Sequence, residues 1–325
     1  KSPTEKDPDI YDHRNIHCDV LVVGAGISGI LAAKNAAKNN LKTLLIDEKN
    51  ELGGATIYQN REFNKIDNQS SSDWIKKEIN ELKNIDNLEV KTRTSVAAYH
   101  GYNYLLAREN LTDHLEKKDK NNKVRQRLLK IRAKKVILAT GALERPLIFN
   151  NNDRPGIMLS TAVKKYADFF GVKCGKKNVF FTNNDSAYES ALCLYNKGIK
   201  VDAIVDIRDN SNSKIVKAVE EAGIKIYWSH TVVDTNGYRR LSNISIMRLS
   251  NDGMTVTGKR INISCDCLGV AGGWTPAVHL FTQSGRKLEI DEENNIFLPN
   301  KYPSDQISVG SCNGSFNLKE IINEL

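Results

Sequence analysis

The stretch that decides the fold is Cys18-Asp19-Val20-Leu21-Val22-Val23-Gly24-Ala25-Gly26-Ile27-Ser28-Gly29-Ile30. An apolar run leads into Gly24-x-Gly26-x-x-Gly29, and an alanine-rich segment follows, which predicts a strand, a tight turn and a helix. In such a turn the first glycine makes the bend, the second lets the backbone approach a pyrophosphate, and the third lets the helix pack on the strand. Because the helix N-terminus also offers free N–H groups to phosphate, the stretch predicts a dinucleotide-binding βαβ unit.

An acidic pair follows the second predicted strand, which runs from Lys42 to Ile46. Asp47 stands at the distance after the glycines, about 20 residues, at which a carboxylate holds the hydroxyls of a ribose. A 2′-phosphate on that ribose would be repelled by Asp47 and Glu48. The pair therefore favours NAD or FAD over NADP.

Two further turns narrow the class of protein. Leu52-Gly53-Gly54 closely follows the acidic pair, and the predicted strand Lys135 to Leu138 enters Ala139-Thr140-Gly141-Ala142. Simple dehydrogenases do not combine these elements. The combination resembles the flavoproteins that have two dinucleotide-binding domains, a group that includes thioredoxin and glutathione reductases.

A second set of strands and helices is predicted after Pro146. Its elements are a helix from Thr161 to Phe170, a strand from Asn178 to Thr182, a helix from Ser186 to Asn196, a strand from Lys200 to Val205 and a helix from Lys214 to Glu221. The phosphate turn, Asn183-Asn184-Asp185, contains no glycine. We expect Asp185 to cap the helix and its charge to oppose a pyrophosphate. We interpret this unit as structural, with an NADPH site for hydride donation as the alternative.

These patterns together predict an α/β fold made of two Rossmann-like dinucleotide-binding domains, with the second inserted into the first, as in thioredoxin and glutathione reductases. The discontinuous first domain is predicted to comprise residues 1–150 plus 280–325 and to bind the dinucleotide. The inserted domain is predicted to comprise residues 151–279 and to carry the degenerate phosphate turn.

The C-terminal segment bears on the choice of cofactor. Ile307-Ser308-Val309-Gly310-Ser311-Cys312 occupies the place of a flavoprotein signature. In that signature a strand ends in Gly-Asp, and the aspartate holds the ribityl chain or the pyrophosphate of FAD. Ser311 and Cys312 stand in place of the acid, which argues against FAD and favours NAD. FAD bound in this chain stays open as the alternative.

The composition is that of a globular protein with about two domains. The chain has 325 residues, of which 40% are hydrophobic, and a net charge of +8. No apolar run approaches the roughly 18 residues of a membrane span. Positive charge is densest from Lys117 to Lys135, where no aromatic residue offers a stacking platform for bases. We interpret this stretch as a solvated, exposed hairpin, or else as a docking surface for an acidic partner chain, and expect no nucleic-acid binding.

The six cysteines form no Cys-x-x-Cys pair, which removes the redox-active disulfide that a disulfide reductase uses. Cys265-x-Cys267 has no second Cys or His pair at zinc spacing, so no metal site is predicted. Because the sequence shows no signal peptide, we expect reduced thiols and a cytoplasmic protein that does not bind a membrane.

Longer stretches resemble the α subunit of heterotetrameric sarcosine oxidase over essentially the whole chain. They are Asp7-Pro8-Asp9-x-Tyr11-x-His13-Arg14, Ala139-Thr140-Gly141-Ala142-Leu143-Glu144-Arg145-Pro146, Asn152-Asp153-Arg154-Pro155-Gly156, Phe181-Thr182-Asn183-Asn184-Asp185-Ser186-Ala187 and Gly272-Gly273-Trp274-Thr275-Pro276. The Asn-Asn-Asp-Ser-Ala turn is the most specific of them, because it replaces a glycine motif and does not repeat one.

This resemblance implies that the chain is the central, NAD-binding part of such a subunit, without the family's folate-binding domain. It further implies FAD on a β subunit that oxidises sarcosine to glycine, FMN at the α/β interface, and β, γ and δ partner subunits. We expect the chain alone to be inactive. The alternatives are a self-contained FAD/NAD(P)H-dependent oxidoreductase, the α subunit of an opine oxidase or a hydrogen cyanide synthase, and, from another class, a basic nucleic-acid-binding module.

The same resemblance maps a set of residues onto the cofactor pocket. They are Gly24, Gly26, Ser28, Gly29, Asp47, Glu48, Gly54, Ala55, Val96, Thr140, Gly141, Gly310, Ser311 and Phe316. Val96 is expected on the crossover strand whose backbone meets the adenine, and Gly310 to Phe316 on the nicotinamide side. We assign no catalytic residue, and His279 is the one histidine placed where a role could be tested.

Overall fold

The computed structural model describes residues 4–5, 7–58, 65–66, 68–120, 122–300 and 305–324. The chain divides into two compact units, of which the first comprises residues 1–142 and 276–325 and the second comprises residues 143–275. The chain passes from the first unit to the second after residue 142 and returns to the first at residue 276, whereas the predicted domain boundaries lie at 150 and 280.

The described elements are as follows. The first part of the chain forms β1 (Ile10–Val23), α1 (Ile27–Lys38), β2 (Thr43–Ile46), a 3₁₀ helix (Gly54–Tyr58), β3 (Lys65–Ile66), β4 (Gln69–Ser70), α2 (Ser71–Leu82), β5 (Leu88–Lys91), β6 (Thr94–His100), β7 (Tyr104–Asn110), α3 (Lys117–Lys120) and β8 (Val124–Leu138). The middle part forms β9 (Ala142–Glu144), β10 (Ile157–Leu159), α4 (Ser160–Asp168), β11 (Asn178–Thr182), α5 (Ser186–Asn196), β12 (Val201–Asp206), α6 (Lys214–Glu221), β13 (Ile226–Tyr227), β14 (His230–Asn236), β15 (Asn243–Leu249), β16 (Val256–Ser264), β17 (Cys267–Ala271) and β18 (Trp274–Pro276). The last part forms α7 (His279–Gln283), β19 (Leu288–Asp291), β20 (Ile296–Pro299), β21 (Gln306–Ser308), a second 3₁₀ helix (Gly310–Asn313) and α8 (Leu318–Asn323).

The first unit is built on a sheet with the strand order β5-β2-β1-β8-β7-β6, and β21 also pairs with β8. β1 lies parallel to both β2 and β8, as the βαβ pattern predicts. Val20 and Val22 pack with α1 on one face of the sheet, whereas Leu21 and Val23 pack on the other face with residues of β6, β7 and β8. Because both faces are covered, the end of β1 is apolar at every position.

β1 and β8 are much longer than the apolar runs that predicted them. Residues of β1 from Ile10 onward pair with β8 from Val124 onward, and β7 lies antiparallel on the other side of β8. Leu129 and Ile131 are fully buried in this strand. β7 and β8 do form an antiparallel hairpin, but the expectation that it is exposed is wrong from Val124 onward, because β8 is central to the sheet.

Several cations of this strand are also paired with carboxylates. Arg125 pairs with Asp9 and Asp113, and Arg127 donates two hydrogen bonds to Asp12, at 2.7 and 2.8 Å. The positive charge of the stretch is thus partly compensated within the first unit.

The second unit contains a parallel sheet in the order β10-β17-β11-β12-β13 and an antiparallel sheet in the order β14-β15-β16. The segment β11–α5–β12 is a parallel βαβ unit, as predicted. Phe180, Tyr188 and Ile204 lie fully buried in the core between its strands and helices. The α/β fold with parallel Rossmann-like sheets is therefore confirmed.

Candidate dinucleotide site

The turn after β1 requires glycine at two positions. Gly24 has a φ of +98°, and a Cβ atom on it would lie 2.3 Å from the carbonyl oxygen of Ala139. A Cβ atom on Gly29 would lie 1.8 Å from the carbonyl oxygen of Gly24. Gly26, in contrast, has no atom within 4 Å of such a position. The first and third glycines therefore serve the packing of the turn, and the second faces open space that a ligand can enter.

The N-terminus of α1 faces the same space. Gly26 is the N-cap residue and has no side chain with which to cap the first turn. The N–H groups at the start of α1 carry the positive end of the helix dipole, and together they form the kind of site that binds phosphate oxygens. The turn and the helix thus fit a pyrophosphate.

Asp47 lies where β2 ends and contacts the turn directly. Its Oδ2 accepts a hydrogen bond from the N–H of Ala25 at 2.6 Å, and its Oδ1 accepts one from the N–H of Lys49 at 2.8 Å. Each carboxylate oxygen can accept a second hydrogen bond. Asp47 is therefore fixed at the phosphate turn with capacity left for ribose hydroxyls, and Glu48 beside it is exposed.

The loop after β2 closes against the turn. Gly53 donates a backbone hydrogen bond to Ala25 at 2.7 Å. Gly54 has a φ of +57°, and a Cβ atom on it would lie 2.9 Å from the Cα of Gly26. Ala55 follows in the 3₁₀ helix and is exposed. Residues 53 and 54 are thus brought to the same place as the phosphate turn.

The C-terminal loop also packs on α1. Gly310 has a φ of +72°, and a Cβ atom on it would lie 2.0 Å from Ser28 Oγ. The N–H of Gly310 donates to Glu324 Oε2 at 2.8 Å, a contact that the sequence did not reveal. Ser311 follows in the second 3₁₀ helix. Phe316, two residues after Gly314, is 40% exposed.

The remaining predicted site residues lie on the neighbouring strand ends. Thr140 donates a hydrogen bond from Oγ1 to the carbonyl oxygen of Ala277 at 2.8 Å, and Gly141 has a φ of +73°. Val96 lies in β6 and is half-buried. The start of β6 is joined to Asp47, because the N–H of Thr94 donates to the Asp47 carbonyl oxygen at 2.8 Å. Contact of these residues with a nucleotide stays a prediction.

The corresponding turn of the second unit is built differently. Asp185 is the N-cap residue of α5 but makes no capping hydrogen bond, so the predicted cap is wrong. Asn184 Oδ1 instead accepts a hydrogen bond from the N–H of Ser186 at 2.9 Å. The Asp185 carboxylate is drawn to Arg208, whose Nη1 lies 2.8 Å from Asp185 Oδ1.

Arg208 also binds the carboxylate that ends β12. Asp206 occupies in this βαβ unit the place that Asp47 occupies in the first, and it is fully buried. Asp206 Oδ2 accepts hydrogen bonds from Tyr188 Oη at 2.8 Å and from Arg208 Nη2 at 2.7 Å. Burial, with the Asp206 charge, raises the pKa of Tyr188, so its hydroxyl stays a donor. Protein side chains thus fill the ribose position of the second unit.

The cysteines are poor candidates for thiol chemistry. All six are free thiols, and burial raises the pKa of Cys18 to about 11 and those of Cys265 and Cys267 to about 12. Thiols with a raised pKa are weak nucleophiles at neutral pH. Within the described ranges, no group of three or more His, Cys, Asp or Glu could hold a metal ion. His279 begins α7 and is exposed.

Across the part of the chain that the structure describes, we find no helix with the length and hydrophobicity that crossing a membrane requires.

Comparisons with known proteins place these features in a family. The chain is 38% identical over 313 residues to the sarcosine oxidase subunit alpha of Corynebacterium sp. (strain P-1), a match that covers 96% of this chain and 32% of the relative. It is 34% identical over 299 residues to the subunit alpha of Rhizobium meliloti (strain 1021), covering 92% of this chain and 28% of the relative. The predicted resemblance to these subunits is confirmed, although the chain spans only about a third of their length.

Solved structures agree on the fold. Thioredoxin reductase from T. acidophilum superposes with a TM-score of 0.70 at 18% identity, covering 94% of this chain and 93% of that one. L-proline dehydrogenase from P. horikoshii superposes with a TM-score of 0.65 at 21% identity, covering 92% of this chain and 51% of that one. Residues 18–306 match the family described as Pyridine nucleotide-disulphide oxidoreductase. The chain belongs to the pyridine nucleotide-disulphide oxidoreductase family.

Proposed function

We propose that the first unit binds NAD and that the chain is the NAD-binding part of the α subunit of a heterotetrameric sarcosine oxidase. The observation that carries this proposal is the contrast between the two βαβ units. The first has an open phosphate turn beside Asp47, whereas the second has Arg208 bound between its two aspartates. The similarity to sarcosine oxidase α subunits supports the choice of assembly.

Different residues of the first unit would bind different parts of the dinucleotide. The N-terminus of α1 and the backbone at Gly26 would bind the pyrophosphate, and Asp47 would accept hydrogen bonds from the ribose hydroxyls. Gly54 and Ala55 would close the loop over the phosphates, and Val96 would meet the adenine. Glu48 would add to the charge that excludes a 2′-phosphate. When bound, NAD supplies a nicotinamide ring that can accept or return a hydride.

The nicotinamide side would be formed by the strand ends and the C-terminal loop. Ser28, Gly310 and Ser311 lie together there, because the C-terminal loop packs on the first turn of α1. Thr140 and Gly141 follow β8, which pairs with β21 just before that loop. Phe316 would complete this side.

The assembly would supply the rest of the reaction. In this proposal a β subunit would hold FAD, which would supply the two-electron oxidation of sarcosine; glycine forms as the N-methyl carbon leaves as a one-carbon unit. FMN would be held at the interface between α and β. The partners are β, γ and δ subunits, the location is the cytoplasm, and the isolated chain is inactive towards sarcosine. An α subunit of opine oxidase or hydrogen cyanide synthase would have the same architecture and a different amine substrate.

FAD in the first unit is the second candidate cofactor, because the chain shares its fold with thioredoxin reductase. The replacement of the expected acid by Ser311 and Cys312 favours NAD over it. Cys312 has no carboxylate for a ribityl chain. Its thiol is buried and donates from Sγ to the Leu138 carbonyl oxygen at 3.1 Å.

The test is the mass of the small molecule that is released when the purified full chain is denatured. We expect the mass of NAD and a colourless protein. A yellow protein that releases FAD and oxidises NADH would contradict the proposal and support a self-contained reductase. If nothing is released, the chain is reconstituted with NAD or FAD, and tighter binding of FAD would contradict the proposal in the same way.

A further inference from the structure

A second concave site lies on the first unit, beside the end of β2. Its volume is about 510 Å³, within the range of about 300–1,000 Å³ that is typical of small-molecule pockets. Three cations line it, Lys49 after β2, Arg93 between β5 and β6, and Arg108 in β7. We call it the cationic pocket. The side chains of these three residues are not among the predicted cofactor contacts, although the Lys49 N–H binds Asp47 and Glu48 also lines the pocket.

The backbone holds Arg93 in a fixed position in the wall of the pocket. Its N–H donates to the Lys49 carbonyl oxygen at 2.8 Å, and its carbonyl oxygen accepts from the N–H of Asn110 at 2.9 Å. Its φ is +50°, a left-handed conformation that is costly for a residue other than glycine. Such residues persist where the surrounding structure holds them, often at ligand sites. A glycine would adopt this left-handed backbone conformation at a lower cost, yet the turn has an arginine there.

The carboxylates near the pocket are already bound to other cations. Asp113, which lines the pocket, accepts hydrogen bonds from Arg125 Nε at 2.6 Å and from Gln126 Nε2 at 3.1 Å. The Arg125 guanidinium, with Gln126, holds the pKa of Asp113 below its usual range, so this carboxylate stays ionised and paired. Glu109, next to Arg108 in β7, binds Lys91 Nζ at 2.8 Å. Neither acid is therefore available to neutralise the pocket.

Within the described part of the chain, the three pocket cations are not paired with a carboxylate. Throughout the described residues, no carboxylate oxygen lies within 4.0 Å of the charged nitrogens of Lys49, Arg93 or Arg108. Glu48 is the one further acid in the lining, and it is exposed. Ser95, which pairs with Arg108 across the sheet, adds a hydroxyl donor to the lining. The pocket therefore carries an excess of positive charge with neutral donors beside it.

We propose that the cationic pocket binds a phosphate group of a small-molecule ligand. Guanidinium groups bind phosphate oxygens in pairs of hydrogen bonds, and a lysine adds a mobile point charge. The concave shape favours a small molecule over an acidic protein surface. The phosphate belongs either to a separate molecule, which is compatible with NAD in the first unit, or to the 2′ position of the nucleotide's ribose, which would overturn the choice of NAD over NADP.

The first experiment is a calorimetric titration of the full chain with inorganic phosphate at fixed ionic strength. We expect the double variant Arg93→Gln/Arg108→Gln to raise the Kd at least tenfold. Arg14→Gln, which removes an exposed arginine of β1 outside the pocket, should leave the Kd within twofold. If the double variant does not fold, Lys49→Gln, a substitution at an exposed position, tests whether the loss of a pocket cation raises the Kd for phosphate. Equal Kd values for wild type and every folded pocket variant would overturn the proposal.

The second experiment separates the two sources of phosphate. A preference for 2′,5′-ADP over 5′-AMP that disappears in the double variant would place the phosphate on the nucleotide. Equal binding of these two probes, with inorganic phosphate still bound in the presence of 5′-AMP, would indicate a separate ligand. Either result supports the pocket. Failure of NAD to bind would remove the proposed function but leave the phosphate measurements as they stand, so the two failures are distinguishable.

Discussion

Replacement of Asp47 tests the dinucleotide site most directly. In the structure this carboxylate accepts two backbone hydrogen bonds, from Ala25 at 2.6 Å and from Lys49 at 2.8 Å. In Asp47→Ala the ribose hydroxyls would lose a charged acceptor, which is worth about 1.5–3 kcal/mol. At about 1.4 kcal/mol for each factor of ten, the Kd for NAD should rise about ten- to a hundredfold.

The same variant has a second effect that must be measured separately. Ala25 is fully buried, and the loss of the acceptor for its N–H should lower the free energy of unfolding by about 1–3 kcal/mol. Asp47→Asn keeps one carbonyl oxygen for that N–H, so it should be closer to wild type in stability while still weakening NAD binding. Denaturant unfolding of the free chain and calorimetric titration with NAD measure the two effects independently.

Asp86→Ala is the control for these variants. Asp86 is an exposed acid between α2 and β5, outside the predicted cofactor pocket, so its removal should change the Kd for NAD less than threefold. The reasoning is refuted if Asp47→Ala is folded and binds NAD within threefold of wild type. In that case the nucleotide would not place its ribose at the end of β2.

Three further predictions concern packing and charge. Gly29→Ala should prevent the native fold of the first unit, seen as loss of the cooperative unfolding transition, because its Cβ would lie 1.8 Å from the Gly24 carbonyl oxygen. Arg208→Ala should lower the free energy of unfolding by about 3 kcal/mol, measured in denaturant, because it leaves the buried Asp206 without its cation; equal stability would contradict the assigned pairing. Burial raises the pKa of Glu144 in the folded chain. Its contribution to stability should therefore fall as the pH rises above about 4.5, and Glu144→Gln should remove that part of the pH dependence of unfolding; identical pH profiles would contradict this.

The parts of the site that the sequence predicted are those that depend on local geometry. The glycine turn and the helix after it follow from adjacent residues, and the distance from Gly24 to Asp47 follows from the length of one helix, one short strand and the turns beside them. The first half of β1 could not be predicted in the same way. Its side chains are mostly exposed or half-buried, so the apolar periodicity that marks a strand is weak there.

The cationic pocket was invisible in the sequence for a different reason. Arg93 lies in the turn before β6 and Arg108 lies in β7, and the two come together because β6 and β7 pair. The left-handed backbone of Arg93 has no signature in its residue type, unlike a glycine or an asparagine. The basic stretch that did stand out in the sequence runs from Lys117 to Lys135. From Val124 onward it lies in a central strand, where Arg125 and Arg127 are paired with carboxylates.

The two units differ in how the aspartate at the end of the second strand of each βαβ unit is bonded, and this difference bears on how many nucleotides the chain can bind. Both end the second strand of a βαβ unit with an aspartate, Asp47 in the first and Asp206 in the second. Among the residues that the structure describes, Asp47 is bound by backbone N–H groups and by no side chain, so a ribose can reach it without displacing one of those side chains. To reach Asp206, a nucleotide would have to break its bonds to Tyr188 and Arg208 and leave the charge of Arg208 unpaired. Electron transfer between a flavin and a nicotinamide nucleotide within one such chain needs two nucleotide sites. One dinucleotide bound per chain is therefore the stoichiometry that fits the proposed role as a subunit of a larger oxidase, and two per chain would contradict that proposal.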